Sequence, residues 1–130
     1  MGGVWHISRI MVRYFMFSRA LLVAGLCAAL SSVASAETVT VKYRGPVPLD
    51  TFECATVDRS GLVQRVCYDA VKQYLVILLK GTYYHYCEIG QGIIDEFLSA
   101  DSMGQYFNAH IKGSGSDGPF DCRTHWVPVY

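Results

Sequence analysis

Three runs in the middle of the chain, Leu62 to Tyr68, Tyr74 to Lys80 and Thr82 to Ile89, are rich in β-branched, aliphatic and aromatic residues and read as strands. Asp69 to Gln73 joins the first pair and Lys80-Gly81 the second, which predicts a three-stranded antiparallel meander. The period then changes. Ile93, Ile94, Phe97 and Leu98 recur at helical spacing, and Met103, Phe107 and Ile111 form a second apolar stripe, capped by Asp101 or Ser102 and closed by Gly113. Upstream, Glu37 to Lys42 alternates as a short strand, while Pro46 and Pro48 interrupt pairing and make Gly45 to Thr51 an extended connector. The expected fold class is α+β: a small three-stranded antiparallel meander followed by two short helices packed on one face.

A two-residue turn at Lys80-Gly81 sets Leu79 opposite Thr82, Ile77 opposite Tyr84 and Leu75 opposite Tyr86. That face is apolar and should receive the helices, with Tyr84 and Tyr86 as core residues whose hydroxyls reach the sheet edge. The other face carries Val63, Arg65, Cys67, Tyr74, Val76, Leu78, Tyr83, His85 and Cys87. It is too apolar to stay wet and too polar for a plain core, so part of it should be covered.

The first 36 residues change the picture of destination and charge. Arg9, Arg13 and Arg19 with no acid, an apolar run from Ala20 to Leu30 and the small residues Ala34-Ser35-Ala36 read as an export signal. The start is Met1 or Met11. The run is shorter than the roughly 20 residues of a membrane span, so no stable span is expected after cleavage. Cys27 lacks the small neighbour of a lipoprotein signal, Leu26 standing there instead. The expected location is periplasmic or secreted. The chain divides into residues 1–36 as signal, 37–59 as an N-terminal extension, 60–113 as the domain and 114–130 as a tail. Eleven basic residues less the three in the signal leave eight against eleven acids, a balance of about minus three that disfavours polyanion binding.

Cys54, Cys67, Cys87 and Cys122 remain, an even number in a small exported chain, and no C-x-x-C or zinc spacing occurs. Disulfides are expected and no metal or cofactor. Cys67 and Cys87 lie on outer strands of the meander, about 9.6 Å apart, beyond the roughly 6.8 Å reach of a bridge. They should therefore pair outward, pinning the connector and the tail across the second face. Cys54 with Cys67 and Cys87 with Cys122 is the preferred arrangement, the crossed one being the alternative.

Tyr68-Asp69, Leu75, Gly81, the Y-x-Y of Tyr84-His85-Tyr86, then Leu98-Ser99-Ala100-Asp101-Ser102-Met103-Gly104, Phe107-Asn108 and Ile111-Lys112 resemble the KTSC domain. That family takes its name from a segment at the C-terminus of some lysyl-tRNA synthetases and includes stand-alone bacterial domains. The resemblance runs from about Ser60 to Gly113. It departs at Ile89-Gly90, where the family reads valine-proline, and the cysteines and export signal mark a secreted branch. The resemblance implies no established activity; RNA binding has been proposed for the family.

Three functions compete. A non-catalytic module binding a protein or small ligand would use Tyr74, Tyr83, His85, Arg65 and Trp126 on the uncovered part of the second face. A nucleic-acid module would need a basic groove beside those aromatics, with Lys80 nearby, against the negative balance. A small hydrolase-like enzyme would need a nucleophile, but bridged cysteines offer no thiolate and no G-x-S-x-G is present. His85 and Glu88 point to opposite faces of a regular strand, Asp95 and Glu96 diverge around a helix, and His110 reads as a surface residue. Gly113, Gly115 and Gly118 match G-x-G-x-x-G without the strand before or helix after that a dinucleotide site requires. Ser102 and Gly104 with Asn108 could cradle an anion, but a helix cap, a close packing point and a bond to a strand edge explain the same residues without a ligand, and that reading is preferred. The reading favoured is the non-catalytic binding module.

Overall fold

The computed structural model describes residues 35–113 and 118–130, which belong to one compact unit. The segment read as an export signal lies outside the described residues apart from Ser35 and Ala36, as does most of the Gly113–Gly118 loop. Among the described residues no helix is long and apolar enough to cross a membrane.

The three-stranded expectation is overturned: the sheet has six strands and is mixed. They are β1 (Thr38–Val41), β2 (Gly45–Pro48), β3 (Glu53–Thr56), β4 (Val63–Asp69), β5 (Tyr74–Leu79) and β6 (Thr82–Tyr86), in the order β2-β1-β6-β5-β4-β3. Two short helices follow, α1 (Gln91–Ser99) and α2 (Met103–Tyr106), the latter running on as π-helix over Phe107–Lys112. Strands β4, β5 and β6 are antiparallel neighbours with Leu79 opposite Thr82, Ile77 opposite Tyr84 and Leu75 opposite Tyr86. Lys80 and Gly81 both take positive φ, 44° and 83°, the backbone of the tight turn that matches strand twist.

Of the three added strands, β1 matches the short strand expected over Glu37 to Lys42, β2 comes from the supposed connector and β3 from the residues after it. Pro46 and Pro48 face Thr40 and Thr38 on β2, which lies at the sheet's edge, where a missing N–H costs no ladder bond. Strand β3 pairs with β4 through Cys54 opposite Cys67 and is exposed along its length, so no apolar pattern announces it. The turn residues Asp58-Arg59-Ser60-Gly61 between it and β4 were the available signal.

On one face the helices close a core of Val63, Val66, Leu75, Ile77, Ile94, Phe97, Met103, Phe107 and Ile111, against which Tyr84 and Tyr86 pack. Val63 belongs here and not with Arg65 and Cys67, because a bulge between Val63 and Arg65 shifts the alternation by one residue. Ser102 caps α2 by accepting the Gln105 N–H, and Leu62 packs 3.6 Å from where a Cβ on Gly104 would sit. Asn108 is exposed.

The second face holds its own core: Val39, Val41, Val47 and Leu49 pack with Cys67, Tyr74, Val76 and Cys87. Strand β1 meets β6 at a single parallel position, Val41 with Tyr83, while Glu37 just before it ion-pairs with Arg65 on β4. A flat continuation of the sheet could not bring β1 residues to β4 and β5, so the β1–β2 hairpin leans across this face. The tail completes the cover, bridged at Cys122 to Cys87, with Val127 and Tyr130 against the same core. Cys54 is bridged to Cys67. Both bridges follow the preferred pairing and fit an oxidising compartment, but Cys54 lies in β3 beside β4, so its bridge joins neighbouring strands of the sheet instead of drawing the connector across the second face.

Candidate functional site

The second face is closed where the sequence left it open. Tyr74 is fully buried, its hydroxyl hydrogen-bonded to Nδ1 of His85 at 2.8 Å, and burial pushes the phenol up to about 12. It cannot meet a ligand. Arg65 donates to both Glu37 oxygens at 2.7 and 2.8 Å and to the Tyr83 hydroxyl at 3.2 Å, so its fork is occupied and its pKa is raised. Trp126 is 57% exposed on the tail. Of the five expected binding residues, Tyr74, Tyr83, His85, Arg65 and Trp126, His85 alone lines the main cleft.

That cleft, about 860 Å³, is formed where β6 runs out of neighbours. Lys42 N–H donates to the Tyr83 carbonyl at 2.8 Å, after which the chain turns away through Tyr43, held at φ 66°. At the far end Cys87 N–H donates to the Phe120 carbonyl at 2.9 Å. Between these bonds lies the edge of Tyr84, His85 and Tyr86, which is bare among the described residues. The walls are Lys42, Tyr43 and Arg44 from the β1–β2 turn, Lys112 from the π-helical stretch, and Asp121, Cys122, Arg123 and Val127 from the tail.

Its electrostatics are cationic. Lys42 sits over the rings of Tyr43 and Tyr84, at 5.1 and 5.5 Å. Arg44 donates to the Pro128 carbonyl at 2.6 Å, anchoring the tail while its charge remains by the cleft. Asp121 accepts from Arg123, whose guanidinium and backbone N–H bring the carboxyl down to about 2. Burial, then the charge of Arg44, lowers the His85 pKa. Burial likewise raises Tyr86 to about 12.

A ring nitrogen of His85 lies within 4.8 Å of the Cys87 and Cys122 sulfurs. Joined to each other, those sulfurs are not the thiolates a soft cation requires. Two of the family-motif residues have structural posts: the buried Tyr68 hydroxyl donates to the Ile89 carbonyl at 2.6 Å, and the buried Asp69 carboxylate accepts from Thr51 and Tyr130. Asp95, Glu96 and His110 are exposed, and His110 rests on the Tyr106 ring at 4.5 Å.

Sequence reasoning missed Lys42, Tyr43, Arg44 and Arg123. The run Lys42-Tyr43-Arg44, basic and aromatic at a turn, was the one signal available. Residues 59–114 match the KTSC domain family, less than half of the chain. The chain is also similar to a crystal structure of a KTSC domain protein from Yersinia pestis, at 26% identity over 48% of this chain and 89% of that one, with a TM-score of 0.45. No curated protein matches it. The family match contains Tyr84, His85, Tyr86 and Lys112; the remaining walls of the cleft come from the flanking segments.

Proposed function

We propose that the protein is an exported, non-catalytic binding module whose cleft takes a short anionic ligand. The supporting observation is where the cations stand. Eight lysines and arginines follow residue 36, and four of them, Lys42, Arg44, Lys112 and Arg123, line this one recess. One carboxylate, Asp121, shares it and is engaged by Arg123. Grouped in a recess with apolar walls, these charges raise the local concentration of anions although the chain after residue 36 is net negative. The rings of Tyr43, Tyr84 and Tyr86 supply planar contact surface beside them.

The arrangement argues against the nucleic-acid alternative, because a backbone-tracking protein needs a cationic strip longer than this recess. It gives no support to a hydrolase, since the nearest imidazole, His85, is tied to Tyr74 and stands beside no free nucleophile among the described residues.

Titration calorimetry with citrate, inorganic phosphate and a single-stranded oligouridine tests the reading. Citrate should bind, and Lys42→Glu with Lys112→Glu should weaken it at least about tenfold, the equivalent of roughly 1.4 kcal/mol. Equal heats from the native and charge-reversed proteins for every probe, or binding confined to oligouridine, would overturn it.

A further inference from the structure

The cleft exposes backbone as well as side chains. In the β5–β6 hairpin the two-residue turn makes Leu79–Thr82 a hydrogen-bonded pair, so pairs alternate from there and Tyr83, His85 and Cys87 point their N–H and C=O groups away from β5. The outer bonds agree: the Tyr83 carbonyl accepts from Lys42, and the Cys87 N–H donates to Phe120. His85, midway between, directs both of its main-chain groups into the cleft, and among the described residues nothing pairs with them on that side. A strand edge bare over three residues, about 10 Å at roughly 3.3 Å each, is a template for another extended chain.

The geometry points to strand addition. A short acidic segment of a partner polypeptide lies along the outer edge of β6 and exchanges two main-chain hydrogen bonds with His85. Its carboxylates meet Lys42, Arg44 and Lys112, and this rests on the anion-binding reading of the same cleft. An extended segment here turns alternate side chains toward Tyr84 and Tyr86 on one side and toward His85 and Val127 on the other, all of which line the recess. Acidic residues satisfy the rim while the main chain satisfies His85. Phosphate or citrate satisfies the rim alone. The β1–β2 turn and the tail bound the gap, so about three residues of the guest pair and the rest leave the sheet plane.

The test uses isotope-labelled protein with its disulfides intact and an end-blocked hexapeptide of alternating glutamate and valine. The peptide should shift the His85 amide resonance and slow its hydrogen exchange. N-methylation of successive peptide residues should weaken binding about tenfold at one central position and little at its neighbours, as expected for one lost main-chain bond. Lysine in place of glutamate should abolish binding. If citrate binds while the hexapeptide does not, or if every N-methylated peptide binds as well as the parent, strand addition is overturned and the anion site stands. If neither citrate nor hexapeptide binds, both readings fall.

Discussion

The Tyr130 hydroxyl donates to the Asp69 carboxylate at 3.0 Å across 61 positions of sequence, fastening the end of the tail to the turn between β4 and β5. Lys72 reinforces the join, its ammonium 3.7 Å from the centre of the Tyr130 ring and donating to the Val129 carbonyl at 2.8 Å. Asp69 is the one buried charged residue among those described, and its bonds make that burial tolerable.

Tyr130→Phe removes a hydrogen bond to a buried charge while keeping the ring packed, tilted, against Phe52 and Tyr74. Urea denaturation should show a loss of about 1.5 to 3 kcal/mol. A change below about 0.5 kcal/mol would mean that the tail is not fastened there.

Acid should destabilise the fold in two stages. Burial lowers the His85 pKa, so the unfolded chain binds a proton more readily; stability is full above about 6.5 and falls as pH drops from there toward the lowered folded value. Burial alone would raise Asp69, but bonds from Lys72, Thr51 and Tyr130 outweigh it and leave the carboxyl lowered. Its contribution is therefore present above the ordinary aspartate value and is lost as pH falls through the folded one. Denaturation midpoints from pH 8 to 3 should show both stages, with His85→Gln flattening the first and sparing the second.

The two disulfides should differ in weight. Cys87–Cys122 spans 35 positions and Cys54–Cys67 spans 13. Loop-closure entropy gives about 3.8 kcal/mol for the first and about 3.0 for the second. Replacing both cysteines of each pair by serine and comparing thermal midpoints should place the Cys87–Cys122 variant lower; the reverse order would show that the tail is held mainly by its hydrogen bonds.

Gly81→Ala should cost about 1 kcal/mol, because alanine at φ 83° resists the left-handed backbone although a Cβ would meet nothing within 4 Å. A full chemical denaturation curve measures this directly, and an unchanged midpoint would argue that the Lys80-Gly81 turn has rearranged.

Strand period and turn chemistry made β4, β5 and β6 readable, together with the register of β5 on β6, since those elements are local and joined by a tight turn. The same logic misplaced Val63, because one bulge reverses every face assignment beyond it. It also missed β2 and β3, an edge strand carrying two prolines and a strand exposed throughout, whose existence depends on a partner and not on their own pattern. Among the site residues, His85 was legible from its strand. Lys42, Arg44 and Arg123 were not, as nothing in their spacing says that a hairpin turn and a tail converge on the same edge.

By itself the sequence determined what short-range physics encodes: three antiparallel strands, two apolar helical stripes, and cysteines that had to pair outward from those three strands. Tertiary structure alone decided that the stretches after β1 become two further strands of the sheet, that Tyr74 is sealed away, and that half of the later cations meet beside β6. Those outcomes depend on contacts between residues tens of positions apart, where hydrophobic cover, main-chain pairing and chain closure are satisfied together and no local pattern specifies the partner.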